Sequence, residues 1–324
     1  MYSDLKLPAA FHALLRCPVC RAPLEECDTW LVCTHNAQSH RFPIVDGIPV
    51  LINDEASVFS VDDFIQRRST FFDLSRAGQL VAVADRRLPS FHRTTKKKEN
   101  MQRFVQALLA RSSEPKVLVI GGSILGPGME HLLRHAPPIQ LVESDVSFGP
   151  RTNMICDAHD IPFEDGTFDG IIAQAVLHHV ADPFRCVEEI YRVLSKEGVV
   201  YAETPFMQQV HAGPYDFTRF THLGHRRLFR RFDEIDSGTG QGPGTALAWS
   251  YQYFLLGFAT SKPMRALIRA FCRLTLFYLK YFDAYLGQRP GAFDASSGYF
   301  FMGRKSDRTL TDREVIRLYR GGIR

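Results

Sequence analysis

Lys116–Phe206 is the segment that most limits what this chain can become, because short apolar runs alternate there with turns that carry glycines and acids. Val117–Ile120, Ile139–Val142, Gly170–Ala173 and Val199–Ala202 are apolar throughout and too short for helices, as strands buried on both faces should be. Loops or helical patterns separate them, which points to an α/β sheet with parallel strands. Ligands of such open sheets bind beyond the carboxyl ends of the strands, and the polar residues of this segment fall there.

The first run ends in Gly121-Gly122-Ser123, with Gly126 and Gly128 following. Glycine admits positive φ and lets a ligand lie against bare backbone. A helix is expected from about Met129 to His135, with its amide end toward this turn. Pro127 departs from a dinucleotide G-x-G-x-x-G, and no phosphate-binding lysine follows. The second run leads to Glu143-Ser144-Asp145, where a carboxylate can accept the protons of two ribose hydroxyls. Asp145 is the better candidate, with Val146 and Ser147 behind it; the alternative is that it caps a helix.

Asp157-Ala158-His159-Asp160-Ile161-Pro162-Phe163, closing on Gly166-Thr167-Phe168-Asp169, follows the pattern D-A-x-x-L-P-F-x-D-x-S-F-D. Leu177-His178-His179-Val180 follows L-E-H-V with His178 in place of Glu, and Tyr191–Leu194 with Lys196-Glu197-Gly198 follows R-V-L-K-P-G-G. With these elements in this order the chain resembles the class I S-adenosylmethionine-dependent methyltransferases of the type 11 kind. It departs from them at Val119 or Ile120, where an acid is usual near the Gly turn, and at His178.

The resemblance implies a Rossmann-like, doubly wound, mostly parallel sheet of seven strands that binds S-adenosyl-L-methionine. It implies that Gly121, Gly122 and Gly126, with Ser123 in the same turn, border the methionine part of the cofactor. Asp145 would hold the ribose and Val146 pack on the adenine. Asp157 and Ala158 would meet the adenine edge, and Gln174 and His179 lie beneath the sulfonium. Methyl transfer then needs an in-line acceptor and, for a hydroxyl, a base.

A second signal precedes this segment. Cys17, Cys20, Cys33 and His40 give C-x2-C-x12-C-x6-H, a ligand set that suits tetrahedral Zn²⁺ in a structural role. His35 and Cys27 are rival fourth ligands on spacing alone. The run Phe42–Val50 (FPIVDGIPV) resembles the tail of the small zinc ribbons that precede many methyltransferase domains, and that resemblance favours His40. The alternative is that these cysteines are small buried hydrophobes.

Four regions are therefore expected: a zinc-ribbon-like domain at 1–55, a helical bridge at 56–112, the cofactor-binding core at 113–235, and a helical insertion with a final strand at 236–324. In the bridge, 62–74 and 99–109 carry apolar residues at helical spacing. The net charge of +4 is mild, and the basic runs Arg86–Lys98 and Arg226–Arg231 are read as solvated faces before nucleic-acid sites. Cys27, Cys156, Cys186 and Cys272 show no framework spacing, which favours a reducing compartment. The first twenty residues lack a basic region followed by a sustained apolar core, so no signal peptide is expected and a cytoplasmic location is.

After the strand ending near Ala202 comes a dense polar and aromatic string, Glu203–His222. Related methyltransferases carry a P-Y-D-F-x-R-F-T segment here, bordering the acceptor. His211 is the first candidate for general base, since imidazole titrates nearest neutrality. Tyr215, Asp216 and Arg219 would orient an acceptor, or Asp216 and Arg219 would tie the loop. His222 and His225 are weaker candidates. Residues 246–283 are apolar with a basic stripe (Arg265, Arg269, Arg273, Lys280), expected to pack on the sheet or in a homodimer, or else to touch a membrane surface. Ser296–Arg304 reads as the last strand.

The function expected is methyl transfer to an oxygen or nitrogen of a small molecule or glycan. One rival is an RNA methyltransferase using the ribbon and basic runs. Another is a non-catalytic cofactor-binding partner of a second methyltransferase. A buried Asp145, or a cleft closed by the Tyr215 loop, would favour that last reading.

Overall fold

The protein is described by a computed structural model covering residues 5–35, 40–70, 88–91, 95–134 and 138–322. The last residue of the helix expected over 129–135, positions 71–74 of the bridge, and 86, 87 and 92–94 of the first basic run lie outside the described residues.

Seven strands form the sheet implied by the resemblance. They are β5 (Lys116–Ile120), β6 (Gln140–Asp145), β7 (Met154–Cys156), β8 (Phe168–Gln174), β9 (Leu194–Pro205), β10 (Phe232–Gln241) and β11 (Gly298–Lys305). Their order is β7-β6-β5-β8-β9-β11-β10, with β11 antiparallel to both β9 and β10 and the remaining pairs parallel. The preceding strands β1 (Leu24–Cys27), β2 (Trp30–Cys33), β3 (Arg41–Val45) and β4 (Ile48–Leu51) make an antiparallel meander. Strand β4 pairs in parallel with β7, so the ribbon continues the sheet at the edge β7 would otherwise leave open.

The ribbon also shares the main core. A short 3-10 turn, Ala9–Leu14, buries Phe11, whose ring stacks on Phe168 at 5.7 Å and meets Phe163 edge-on at 6.2 Å. The Pro162-Phe163 and Phe168 positions of the signature thus build the surface on which the amino-terminal segment docks. Arg16 N donates to the Pro162 carbonyl at 2.9 Å and Glu164 N to that of Leu14 at 3.0 Å.

Helix α1 (Val61–Ile65) ends much earlier than the pattern over 62–74 predicts, because Arg67 takes a left-handed φ of 51°. Helix α2 (Thr95–Leu109) buries Met101, Phe104, Val105 and Leu108 against the sheet. Gly170 makes that approach possible: a Cβ there would stand 2.7 Å from Leu108 Cδ2 and 2.8 Å from Phe104 Cζ. Helix α3 (Met129–Arg134) follows the Gly turn. In α4 (Pro183–Val193) the Asp182 carboxylate accepts from the first free amides, Phe184 N and Arg185 N, and Cys186, Val187, Ile190 and Val193 line the buried face.

Helix α5 (His222–Leu228) leads into β10, a strand the sequence did not mark. Its stretch FDEIDSGTGQ has no apolar run because it is an outer strand with two bulges, and only part of it faces a core. Between β10 and β11 come α6 (Pro243–Leu256), α7 (Lys262–Leu276), α8 (Leu279–Leu286) and α9 (Pro290–Ala295); α10 (Asp312–Arg317) follows β11. Asp283 of α8 caps α6, accepting from Gly244 N at 2.7 Å and Thr245 N at 3.1 Å. Within this chain helix α7 is covered on one side only. It packs Ile268, Cys272 and Leu276 inward, while Leu267 is 71% exposed and Phe271 and Leu274 also face outward. Among the described residues no helix is long and apolar enough to cross a membrane.

Candidate cofactor cavity and metal centres

The carboxyl ends of β5 to β8 surround a cavity of about 70 Å³ lined by Gly121, Asp145, Val146, Asp157, Ala158 and His179. The turn after β5 has the bare backbone the sequence predicts. Gly121 has φ +75°, and a Cβ on it would lie 2.5 Å from Val176 Cγ2. Gly122 N donates to the Ser144 carbonyl at 2.9 Å, and a Cβ on Gly126 would strike Gln174 Oε1 at 2.4 Å. Two larger clefts lie elsewhere, one beside Lys96, Asp236 and Arg320 and one beside Glu189, Tyr191 and Arg231; neither touches this turn.

Asp145, the last residue of β6, is buried, and its Oδ2 accepts from Ser123 N at 3.0 Å. Burial pushes its carboxyl above the usual range. No helix begins after it, so the capping alternative has nothing to cap. Asp157 is held from two sides, by Ser57 Oγ at 2.5 Å and by His159 through Nδ1 at 2.5 Å and N at 3.0 Å. Burial would raise its carboxyl, but the His159 and Ser57 contacts outweigh burial and hold it below the usual range. His159 Nε2 in turn accepts from Asp182 N at 3.0 Å, locking this turn to the start of α4.

Gln174 sits at the end of β8 and donates to the Pro127 carbonyl at 3.2 Å and to Glu203 Oε1 at 3.1 Å. Glu203 is buried at the end of β9, paired with Lys97 of α2 and bonded by the Tyr201 hydroxyl. Sequence reasoning missed this Lys97–Glu203 pair, whose members lie 106 positions apart. Just past β8, Ala175 has φ +55°, a left-handed turn that sends residues 176–180 across the cavity mouth.

The loop after β9 folds back over this mouth. His179 Nδ1 is 2.7 Å from the Tyr215 carbonyl oxygen, and Phe217 N donates to the His178 carbonyl at 2.9 Å. The Tyr215 ring stacks on Phe59 at 5.6 Å, so the segment after the ribbon helps to close the cavity. Asp216 is fully covered: Arg219 forks onto it, and His211 N donates to its Oδ2 at 2.9 Å. Arg219 also donates to the Gln208 carbonyl at 2.8 Å and the Gln209 carbonyl at 3.2 Å. Asp216 and Arg219 thus join the two sides of the loop. His211 stands beside His178, Nε2 to Nε2 at 3.5 Å. His222 and His225 are not near the cavity; they lie among Phe293 and Tyr299, and among Phe229 and Phe301.

At the ribbon tip Cys17, Cys20, Cys33 and His40 bring their ligand atoms within 4.8 Å of one another. Arg21, with φ 63°, lets the first knuckle turn, and its N donates to the Cys17 carbonyl at 2.9 Å. Cys33 N donates to the His40 carbonyl at 2.9 Å, which sets the second pair of ligands. Three sulfurs and one imidazole nitrogen at this spacing fit a tetrahedral metal. The rivals Cys27 and His35 are not in the cluster. All seven cysteines are free.

The family described as "Methyltransferase domain" matches residues 132–202. Cycloartenol-C-24-methyltransferase 1 of Oryza sativa subsp. japonica is 31% identical over 139 residues, 39% of this chain and 38% of that one. Mouse (Mus musculus) mitochondrial arginine-hydroxylase NDUFAF5 is 34% identical over 70 residues, 22% of this chain and 18% of that one. The chain thus spans well under half the length of these two relatives. A UPF0434 protein of Azotobacter vinelandii (strain DJ / ATCC BAA-1303) is 38% identical over 56 residues, 17% of this chain and 88% of that small protein. The sheet domain accordingly carries a methyltransferase-domain match over residues 132–202 and has the Rossmann-like sheet of class I S-adenosylmethionine-dependent methyltransferases, and the chain belongs to the UPF0434 family over those 56 residues.

Proposed function

We propose that this chain binds S-adenosyl-L-methionine in the cavity between Gly121 and Asp145 and methylates an oxygen or nitrogen of a small molecule or glycan. One observation carries the reading: a buried carboxylate stands beside a turn that has no room for side chains, at the carboxyl edge of a parallel sheet. When bound, the cofactor supplies an electrophilic methyl group on a sulfonium. Asp145 would accept from the ribose hydroxyls, with Ser123 N fixing its orientation, and Val146 and Ala158 would wall the adenine. Asp157 is already held by Ser57 and His159, so it would add one acceptor to the adenine edge without moving. His179, which lines the cavity, and Gln174, against the Gly126 turn, would lie at the sulfonium end. His211, half-exposed on the loop, would take a proton from a hydroxyl acceptor, and Tyr215 would shield the site from water. Zinc at Cys17, Cys20, Cys33 and His40 would hold the ribbon's shape. Calorimetry with S-adenosylhomocysteine tests the reading, which predicts binding that Asp145→Ala abolishes; a folded protein that gives no heat refutes it.

A second reading, a cofactor-binding partner without turnover, is favoured by the burial of Asp145 and by the Phe59–Tyr215 pair across the mouth. A stacked aromatic pair contributes only about 0.5–1.5 kcal/mol beyond its buried area, so it opens readily for a ligand. Catalysis remains the better reading for that reason. The RNA reading loses support from the second basic run. Arg226 donates to the carbonyls of Phe229 and Phe232, Arg227 pairs with Asp312, and Arg231 pairs with Glu188.

A further inference from the structure

His178, His179 and His211 form a second cluster of ligand atoms within 4.8 Å of one another, at the mouth of the cavity. Their rings pack at centroid distances of 3.7, 5.4 and 5.4 Å. The outer nitrogens of two rings face oxygens. His179 Nδ1 lies 2.7 Å from the Tyr215 carbonyl, and His211 Nδ1 lies 3.1 Å from the Gln209 carbonyl and 3.6 Å from Asp216 Oδ2. A carbonyl can only accept, so both rings carry their proton on Nδ1 and leave Nε2 unprotonated, that of His211 facing His178. His178 brings its own Nε2 to 3.5 Å from that of His211, while its buried Nδ1 has no partner among the described residues.

Lone pairs gathered in this way repel one another unless a cation or proton stands between them. Ligating histidines are characteristically held by a carbonyl or carboxylate on the far nitrogen, and here two of the three are. The Asp216–Arg219 tie fixes the loop that delivers His211, so the cluster is built from both sides of the cavity mouth. We propose that these three imidazoles bind a borderline divalent metal ion such as Zn²⁺ or Co²⁺, leaving an open coordination position at the cavity mouth for water or an oxygen of the acceptor. Three protein nitrogens plus one exchangeable ligand is the arrangement of a metal that works on substrates, unlike the four-ligand set in the ribbon. An acceptor bearing a hydroxyl, enol or carboxylate oxygen would suit that position. The use of the open position rests on the methyltransferase reading, and with the metal bound an acceptor hydroxyl would be acidified by the metal in place of His211 acting as its base; the metal site itself rests only on the three rings.

The test uses the full chain, freed of metal by a chelator under reducing conditions and then titrated with Co²⁺ alone. About two equivalents are expected: one with the thiolate-to-cobalt charge-transfer bands of a Cys₃His site, one with visible ligand-field bands only. His211→Ala, a change on a half-exposed side chain, should remove the second equivalent and leave the thiolate bands intact. His179→Gln should do the same. A wild type that shows thiolate bands only, or no bound cobalt, overturns the proposal. So does a His211→Ala protein that keeps both sets of bands. S-adenosylhomocysteine binding, measured on the same samples, reports on the cavity reading separately.

Discussion

The rings of Phe59 and Tyr215 stack 5.6 Å apart with their planes 20° from parallel, one from the segment after the ribbon and one from the loop after β9. They come from segments far apart in the chain and meet across the cavity mouth. Removing one ring should leave the mouth unroofed without disturbing Asp145. Phe59→Ala is therefore expected to weaken S-adenosylhomocysteine binding roughly three- to tenfold, the worth of one such pair, mainly by faster release. Stopped-flow displacement measures this; an unchanged release rate means the rings are not the roof.

Gly121 combines a left-handed φ with a neighbour that leaves no room for a methyl group. Gly121→Ala should cost about 1–2 kcal/mol for the backbone alone, and more for the displaced Val176. Thermal unfolding should register the loss, and cofactor affinity should fall with it. A variant as stable and as avid as the parent would remove this turn from the cofactor site.

The central strands were legible because each is buried on both faces and so reads as an uninterrupted apolar run. The positions of Gly121 and Asp145 at strand ends beside one cavity were legible because the apolar runs before them fix where the strands stop. The three cysteines and His40 were found by spacing and resemblance, and the structure gathers them. Strand β10 was hidden because an outer, bulged strand carries no such run, and β7 because three residues are too few to show a period. Lys97 with Glu203, Phe59 with Tyr215, and His178 with His211 were hidden for another reason. Each is a contact between distant segments, and local sequence does not encode which loop lies over which strand. His178 was visible only as a departure from the family pattern; its meaning came from the ring beside it.

The ribbon has no core of its own to melt around, since Phe11 stacks on Phe168 and β4 pairs with β7. Metal removal should therefore lower the midpoint of a single unfolding transition, by several degrees at roughly 2–4 °C for each kcal/mol lost. Cys20→Ser, at an exposed ligand, should behave likewise. Two separated transitions in calorimetry would show instead that ribbon and sheet unfold independently. Burial pushes the Cys17 thiol up to about 12, so metal uptake must release its proton and should weaken as pH falls.

Burial lowers His225 to about 3 and His222 to about 4. Unfolded histidine takes up its proton near 6.5, so between these values the unfolded chain holds more protons than the folded one. Their contribution to stability is complete above about pH 6.5 and drains as the pH falls below it. At pH 5 each group should cost about 2 kcal/mol relative to pH 7, at 1.36 kcal/mol per pH unit. His225→Leu should remove about 2 kcal/mol of the stability lost between pH 7 and pH 5, with a smaller drop in melting temperature over that range. An unchanged drop would mean that folding leaves the proton affinity of His225 as it is in the unfolded chain.

Lys97 and Glu203 pair where α2 meets the end of β9, both nearly out of contact with water. Burial alone would push the Glu203 carboxyl up, but the Lys97 ammonium and the hydrogen bonds from Tyr201 and Gln174 outweigh it and hold the group below the usual range. A carboxyl lowered in this way stabilises the fold above its unfolded value near 4.3, and that stability is lost as pH falls through the lower folded value. Lys97→Met reverses the sign by leaving a buried charge without a partner. The loss should be about 3–5 kcal/mol at neutral pH and smaller near pH 4, where the stranded carboxyl can take a proton. Lys97→Met with Glu203→Gln should recover most of it, since the neutral amide can still bond to Tyr201 and Gln174. Urea titrations at the two pH values read all three proteins; equal losses at pH 7 and pH 4 would show that Lys97 contributes packing and not charge.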